Sequence, residues 1–166
     1  LIFRYMKFSD PFKILTPSER WAPTQSQMDM FQNAYEKLLP PLVYKIRLAV
    51  AKWREEDYAG ASETSKLLMN FWFNQEHLIG QSKFSFFFSQ REAIESIIYL
   101  YEVAKAKDKY ELMRFDSSGR VSTGMFDESW TRYVVKMATG AGKTKVMGLT
   151  LVWSYFHNLY EIDSPL

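Results

Sequence analysis

Tyr133-Val-Val-Lys-Met-Ala-Thr-Gly-Ala-Gly-Lys-Thr144 joins a short β-branched run to a glycine-rich turn, and an apolar, helix-like stretch then runs to about Tyr160. Wrapping a backbone around a chain of phosphates requires residues without a Cβ, so that successive N–H groups turn inward, and Gly140 and Gly142 meet that requirement. Thr139-Gly140-Ala141-Gly142-Lys143-Thr144 therefore reads as a nucleotide phosphate loop. In such a loop Lys143 reaches the β- and γ-phosphates as a point charge and is the expected catalytic residue, while Thr144 ligates Mg²⁺. The first turn of the following helix adds the positive end of its dipole. One departure stands out: Met137 occupies a position where the full pattern has Gly or Ala.

A phosphate-loop ATPase also needs a later strand ending in a carboxylate that holds Mg²⁺. Glu161 and Asp163 follow the loop too closely and have no apolar strand before them, and Asp127-Glu128 precede it. The expectation is the front part of a longer enzyme, able to bind phosphate but not to turn ATP over by itself.

With 47% hydrophobic and 17% aromatic residues, the 166-residue chain can bury a sizeable core. It has no cysteine, and its two histidines, His77 and His157, are too few and too separated to suggest zinc. The net charge of +2 tolerates nucleic acid as a partner without arguing for it. No apolar run reaches the roughly 18 residues of a membrane span, so the expected setting is cytoplasmic with no membrane partner.

Upstream of the loop the pattern is helical. Thr16-Pro17-Ser18-Glu19 offers a helix start, Gln25 to Leu39 carries apolar residues at helical spacing, and Pro40-Pro41 ends that run. Leu42, Val43, Ile46, Ala49, Val50 and Trp53 form the next stripe, flanked by Lys45 and Lys52 on one side and Arg47 and Arg54 on the other. Cations that straddle an apolar stripe in this way resemble snorkelling side chains at a core edge more than a nucleic-acid patch. After Gly60, Ser62 can cap a helix bearing Leu67, Leu68, Phe71 and Trp72, and a loop is expected around Gly80. Ser89 with Glu92 suggests a capping box, opening a helix to about Lys107 with Ala93, Ile94, Ile97, Tyr101 and Ala104 inward. Asp116-Ser-Ser-Gly119, between Leu112-Met-Arg-Phe115 and Val121-Ser-Thr-Gly-Met-Phe126, predicts a hairpin, and Tyr133 to Met137 predicts a strand. Gln90 lies at a helix start, where its amide is suited either to pair with adenine N6 and N7 or simply to face solvent.

Gln90-Arg-Glu-Ala-Ile94 followed by Lys136-Met-Ala-Thr-Gly-Ala-Gly-Lys-Thr144 resembles the Q-type motif and motif I of superfamily-two helicases. Within the DEAD/DEAH group the chain is most similar to the ATP-dependent restriction subunit of type III restriction enzymes. Trp72-Phe73, Phe87-Phe88, Ile98-Tyr-Leu-Tyr101 and Met137 favour that choice over about residues 50–166. The resemblance implies an ATP- and Mg²⁺-dependent DNA helicase or translocase that acts on duplex DNA, with a DNA-modification subunit as a further partner. It also implies a mixed α/β, predominantly helical fold: a helical N-terminal region over 1–80, then the truncated start of a RecA-like P-loop domain over 81–166. On the same basis Gln90 reads adenine and Phe73, seventeen residues before it, stacks on the base, with Phe84, Phe86 and Phe88 as competitors. Two other readings stay open: a P-loop phosphotransferase, and a non-catalytic module that docks a DNA-modification or targeting subunit.

Overall fold

The computed structural model describes residues 10–16, 41–116, 118–119, 121–122 and 133–161. The helices expected from Pro17 to Pro40 lie outside the described residues.

The first helix, α1 (Val43–Glu55), buries Val50 and Trp53. It stops because Asp57 and Tyr58 turn left-handed, with φ of 50° and 57°. The Trp53 indole N–H, donating to the Ala59 carbonyl at 2.9 Å, fastens that turn. Helix α2 (Glu63–Asn74) opens at Ser62, whose hydroxyl accepts the Ser65 N–H at 3.2 Å. Its inner face is Ser65, Met69 and Trp72, which leaves Leu67 and Phe71 outside the stripe to which their apolarity had assigned them.

At Gly80 the expected loop is a hairpin. Strand β1 (His77–Ile79) pairs antiparallel with β2 (Ser82–Phe84) around Gly80-Gln81, and Gly80 takes the positive φ of 64° that so tight a reversal needs.

Helix α3 (Phe88–Ile98) runs into a π-helical segment, Tyr99–Val103. That wider turn shifts the inward face, so Ile94 and Ile98 are followed by Leu100 and Tyr101. The helix ends at Val103 rather than Lys107, and Lys105 turns left-handed at φ 50°. Its start is also displaced from the expectation. Phe87 is the N-cap, and Gln90, not Glu92, occupies the third helical position and accepts the Phe87 N–H at 3.0 Å.

The hairpin expected around Asp116 loses its first arm to α4 (Lys109–Met113), because Asp108 caps the Glu111 N–H at 2.9 Å and starts a helix through Leu112 and Met113. The Asp116 carboxylate instead closes a local turn by accepting from the N–H groups of Ser118 and Val121. Residues 123–126 of the second arm lie outside the described residues.

Residues 133–138, where a strand is expected, belong to no helix or strand among the described residues, and Val134 is 86% exposed. A β-branched run favours a strand, yet a strand exists only by pairing with a neighbour. Helix α5 (Lys143–Tyr160) follows and buries Val146, Leu149, Trp153 and His157.

The core joins Trp53, Tyr58, Met69 and Trp72 to Ile94, Ile98, Tyr101, Leu149 and Trp153, so it draws on both sides of position 80. The described residues are mostly helical with one two-stranded sheet, in keeping with the predominantly helical fold expected. No helix among the described residues is long and apolar enough to cross a membrane.

Candidate nucleotide site

Packing of α5 against both α2 and α3 fixes where the glycine-rich loop sits. Gly140 and Gly142 hold φ of 80° and 76°, a left-handed region closed to most side chains, and Gly142 is the residue from which α5 starts. The Ala141 N–H returns to the Ala138 carbonyl at 3.2 Å and tightens the turn. The N–H groups of Gly142, Lys143 and Thr144 meet no acceptor among the described residues. Three such donors at the positive end of an eighteen-residue helix have the geometry that suits an anion.

The Lys143 ammonium folds back to donate to the carbonyls of Met137 at 3.2 Å and Ala138 at 3.0 Å. Without its own cation the loop would present only carbonyl dipoles there. A charge held by neutral carbonyls remains available to a phosphate, for which it has greater electrostatic attraction. Thr144 is exposed beside it on the first turn, with its hydroxyl in reach of solvent. Thr139, Gly140 and Ala141 form the turn itself; space around Gly140 is open.

Gln90 enters this loop from α3. It is 5% exposed, its Nε2 donates to the Ala141 carbonyl at 3.0 Å, and its Oε1 accepts the Phe87 N–H. A Cβ on residue 142 would sit 2.2 Å from that Nε2, so the second glycine is required by a neighbouring side chain as well as by φ. The sequence brings Gln90 to the loop, but in a role that its helix-start position did not signal: the amide braces the loop backbone.

Phe73 lies elsewhere, in an aromatic cavity of about 220 Å³ lined also by Phe12, Trp72, Phe84, Phe86 and Phe88. The Arg91 guanidinium covers one face of the Phe73 ring at 4.9 Å, and Phe86 meets it edge-on at 5.8 Å. Phe84 ties this cavity to the loop, because Lys145 of the first α5 turn sits over its ring at 5.1 Å.

Behind the cavity, Glu95 is fully buried and accepts from Arg54, Arg91 and the Tyr58 hydroxyl. Burial and then the Glu95 charge push the Tyr58 phenol up to about 12. Burial opposes the charge on Arg54, but its hydrogen bond and attraction to Glu95 prevail and raise its pKa further. Arg47 likewise pairs with Glu92 at 3.3 Å, and Lys45 donates to the Asp116 carbonyl at 2.7 Å. Three of the four cations that flank the α1 stripe are thus engaged in joining elements, and Lys52 pairs with Glu56 at 3.6 Å. A helical wheel of α1 cannot show the buried glutamates of α3.

Residues 83–162 match the family model described as Type III restriction enzyme, res subunit, a domain of the helicase superfamily. The match spans both Gln90 and the whole glycine-rich loop. No curated protein and no solved structure matches the chain.

Proposed function

We propose that the chain is the ATP-binding part of a DNA helicase or translocase of the type III restriction-subunit kind. The observation that carries this reading is the loop at 139–144, with two left-handed glycines, unsatisfied N–H groups at the start of α5 and a lysine held only by carbonyls. The helicase-superfamily match over 83–162 supports ATP over other phosphate ligands.

In this reading the backbone at Gly140, Gly142, Lys143 and Thr144 holds the phosphates, Lys143 exchanges the Met137 and Ala138 carbonyls for phosphate oxygens, and the Thr144 hydroxyl would ligate Mg²⁺. The metal would supply neutralisation of phosphate charge. Gln90 reads adenine. Its Nε2 already serves Ala141 and its Oε1 serves Phe87, so engaging a base through both atoms means loosening its hold on the loop. Base recognition and loop conformation are then coupled through one side chain. Phe73 belongs to the aromatic cavity beside α3, with one ring face already taken by Arg91. Duplex DNA and a DNA-modification subunit are the partners of the whole enzyme, which would work in the cytoplasm.

Calorimetric titration of ATP, GTP and tripolyphosphate into the chain tests the assignment. ATP binds more tightly than GTP, since guanine O6 is an acceptor where adenine has a donor. Gln90→Ala reduces that preference by about 1–3 kcal/mol, the scale of a bidentate amide–adenine pair. Lys143→Ala weakens all three ligands. Equal ATP and GTP affinities would remove the adenine role of Gln90, and binding insensitive to Lys143 would remove the loop.

A further inference from the structure

The excess positive charge of the chain lies in one short stretch. Between Lys105 and Arg114 four cations stand against two carboxylates, Asp108 and Glu111, and that surplus equals the net +2 of the whole sequence, so the rest of the chain balances. The two acids are engaged locally: Asp108 caps the Glu111 N–H at 2.9 Å, and Glu111 pairs with Arg114 at 2.7 Å. Lys105 and Lys107 are exposed, Lys109 is half-buried, and Tyr110 beside them is 64% exposed.

The backbone under these lysines is fixed. Ala106 is fully buried between two of them, with its N–H on the Leu100 carbonyl at 2.8 Å and its carbonyl accepting the Tyr133 hydroxyl at 3.0 Å. Tyr133 opens the segment that leads to the glycine-rich loop, so one hydrogen bond ties the turn to the nucleotide site. The Lys105 carbonyl accepts the Lys107 N–H at 2.8 Å, and the Ala104 carbonyl accepts from Arg114 at 2.7 Å. Lys105 turns left-handed at φ 50°, where a glycine would fold with less strain. The chain places a charged side chain there instead. Lys107 Nζ lies over the Tyr101 ring at 4.2 Å and Lys109 Nζ over that of Tyr110 at 5.8 Å, contacts that orient the ammonium groups without neutralising them.

We propose that Lys105, Lys107 and Lys109 form a contact surface for the sugar–phosphate backbone of duplex DNA. The inference rests on the helicase reading above and adds where on this chain the polyanion lies. An ammonium is a point charge that attracts phosphate without reading base edges, and Arg114, the one guanidinium in the stretch, is committed to Ala104 and Glu111. A surface of this chemistry holds any sequence alike, which is what movement along DNA requires. The duplex carries a negative charge per about 1.7 Å of its axis, so it offers anions to three closely spaced cations in any register. An acidic protein would have to match their spacing.

Fluorescence anisotropy of a labelled duplex, titrated with the full chain between about 50 and 200 mM salt, tests this surface. The logarithm of the binding constant falls linearly with the logarithm of the salt concentration, by about 0.9 per phosphate contact. Lys105→Gln, Lys107→Gln and Lys109→Gln together flatten that slope by about 2–3, equally for unrelated sequences, while ATP affinity stays unchanged. The corresponding triple arginine variant keeps the slope. The charge-matched control Lys52→Gln, Lys66→Gln and Lys83→Gln keeps it as well. An equal flattening in that control makes the effect one of net charge and overturns the surface. So does an unchanged slope in the turn variant, or no duplex binding by the unaltered chain. A preference for poly-glutamate over the duplex, abolished by the same variant, also overturns it and assigns the turn to an acidic protein. Binding of ATP without DNA strikes this inference alone, whereas DNA held through the turn with no ATP binding strikes the nucleotide assignment and leaves the surface standing.

Discussion

Gly142 carries two constraints at once, a left-handed φ of 76° and the Gln90 amide 2.2 Å from where its Cβ would be. Gly142→Ala therefore incurs about 1–2 kcal/mol of backbone strain and in addition displaces Gln90 from Ala141 and Phe87. Gln90→Ala removes the second cost and leaves the first. In a double-mutant cycle by urea unfolding, the pair is expected to destabilise less than the sum of the single changes. Additive effects would mean that the amide yields freely. Tyr58 gives a pH signature. Its pKa is raised from 10 to about 12, so the folded state favours the neutral phenol; that stabilisation is complete below pH 10 and is lost as pH rises towards 12. Unfolding midpoints measured from pH 9 to 12 should fall more steeply for the unaltered chain than for Tyr58→Phe. Parallel slopes would remove Tyr58 as the titrating group.

Among the elements, α5 is held by an acceptor that the π-helical segment turns inward. Glu102 accepts from Ser65, from the Trp153 indole at 3.2 Å, from Ser62 N–H at 2.8 Å and from Ser62 Oγ at 3.1 Å, with His157 Nε2 at 3.0 Å. One carboxylate thus joins the start of α2 to the second half of α5. Glu102→Ala removes the acceptor shared by Ser62, Ser65 and His157 while the Trp153 indole keeps the Ser65 hydroxyl at 2.8 Å, and a loss of about 2–4 kcal/mol in unfolding free energy is expected. Removing only the Ser62 cap with Ser62→Ala costs about 1 kcal/mol. A Glu102→Ala loss no larger than that of Ser62→Ala would show that the network relaxes or takes up water. Amphipathic spacing made α1, α2, α3 and α5 legible as helices. The π turn was not legible, because its cause is the packing of Tyr101 and Glu102 against α2 and α5 and not the residues from Tyr99 to Val103 alone.

Across the whole molecule, α5 is apolar on both sides. Its inner face meets the core, while Met147, Leu151, Tyr155 and Leu159 form a stripe at four-residue spacing that is 55–70% exposed. Val134 and Val135, ahead of the loop, are exposed as well. Apolar surface of this extent promotes association. Met147→Glu with Leu151→Glu should lower self-association in sedimentation experiments while changing unfolding free energy by only about 0.5 kcal/mol. A large loss of stability would place those residues inside the fold. The reach of the sequence follows from where each cause lies. The glycine-rich turn, the helix it opens and the Ser62 cap depend on residues a few positions apart, so their local geometry could be read in order along the chain. The hairpin at Gly80 had its signal in a glycine between two three-residue strands too short to mark themselves. The bond from Gln90 to Ala141 spans 51 positions, that from Arg54 to Glu95 spans 41, and the seat of Phe12 depends on a carbonyl meeting the start of α3. Such contacts are selected by the packing of whole helices, and only the folded chain brings their partners within hydrogen-bond distance.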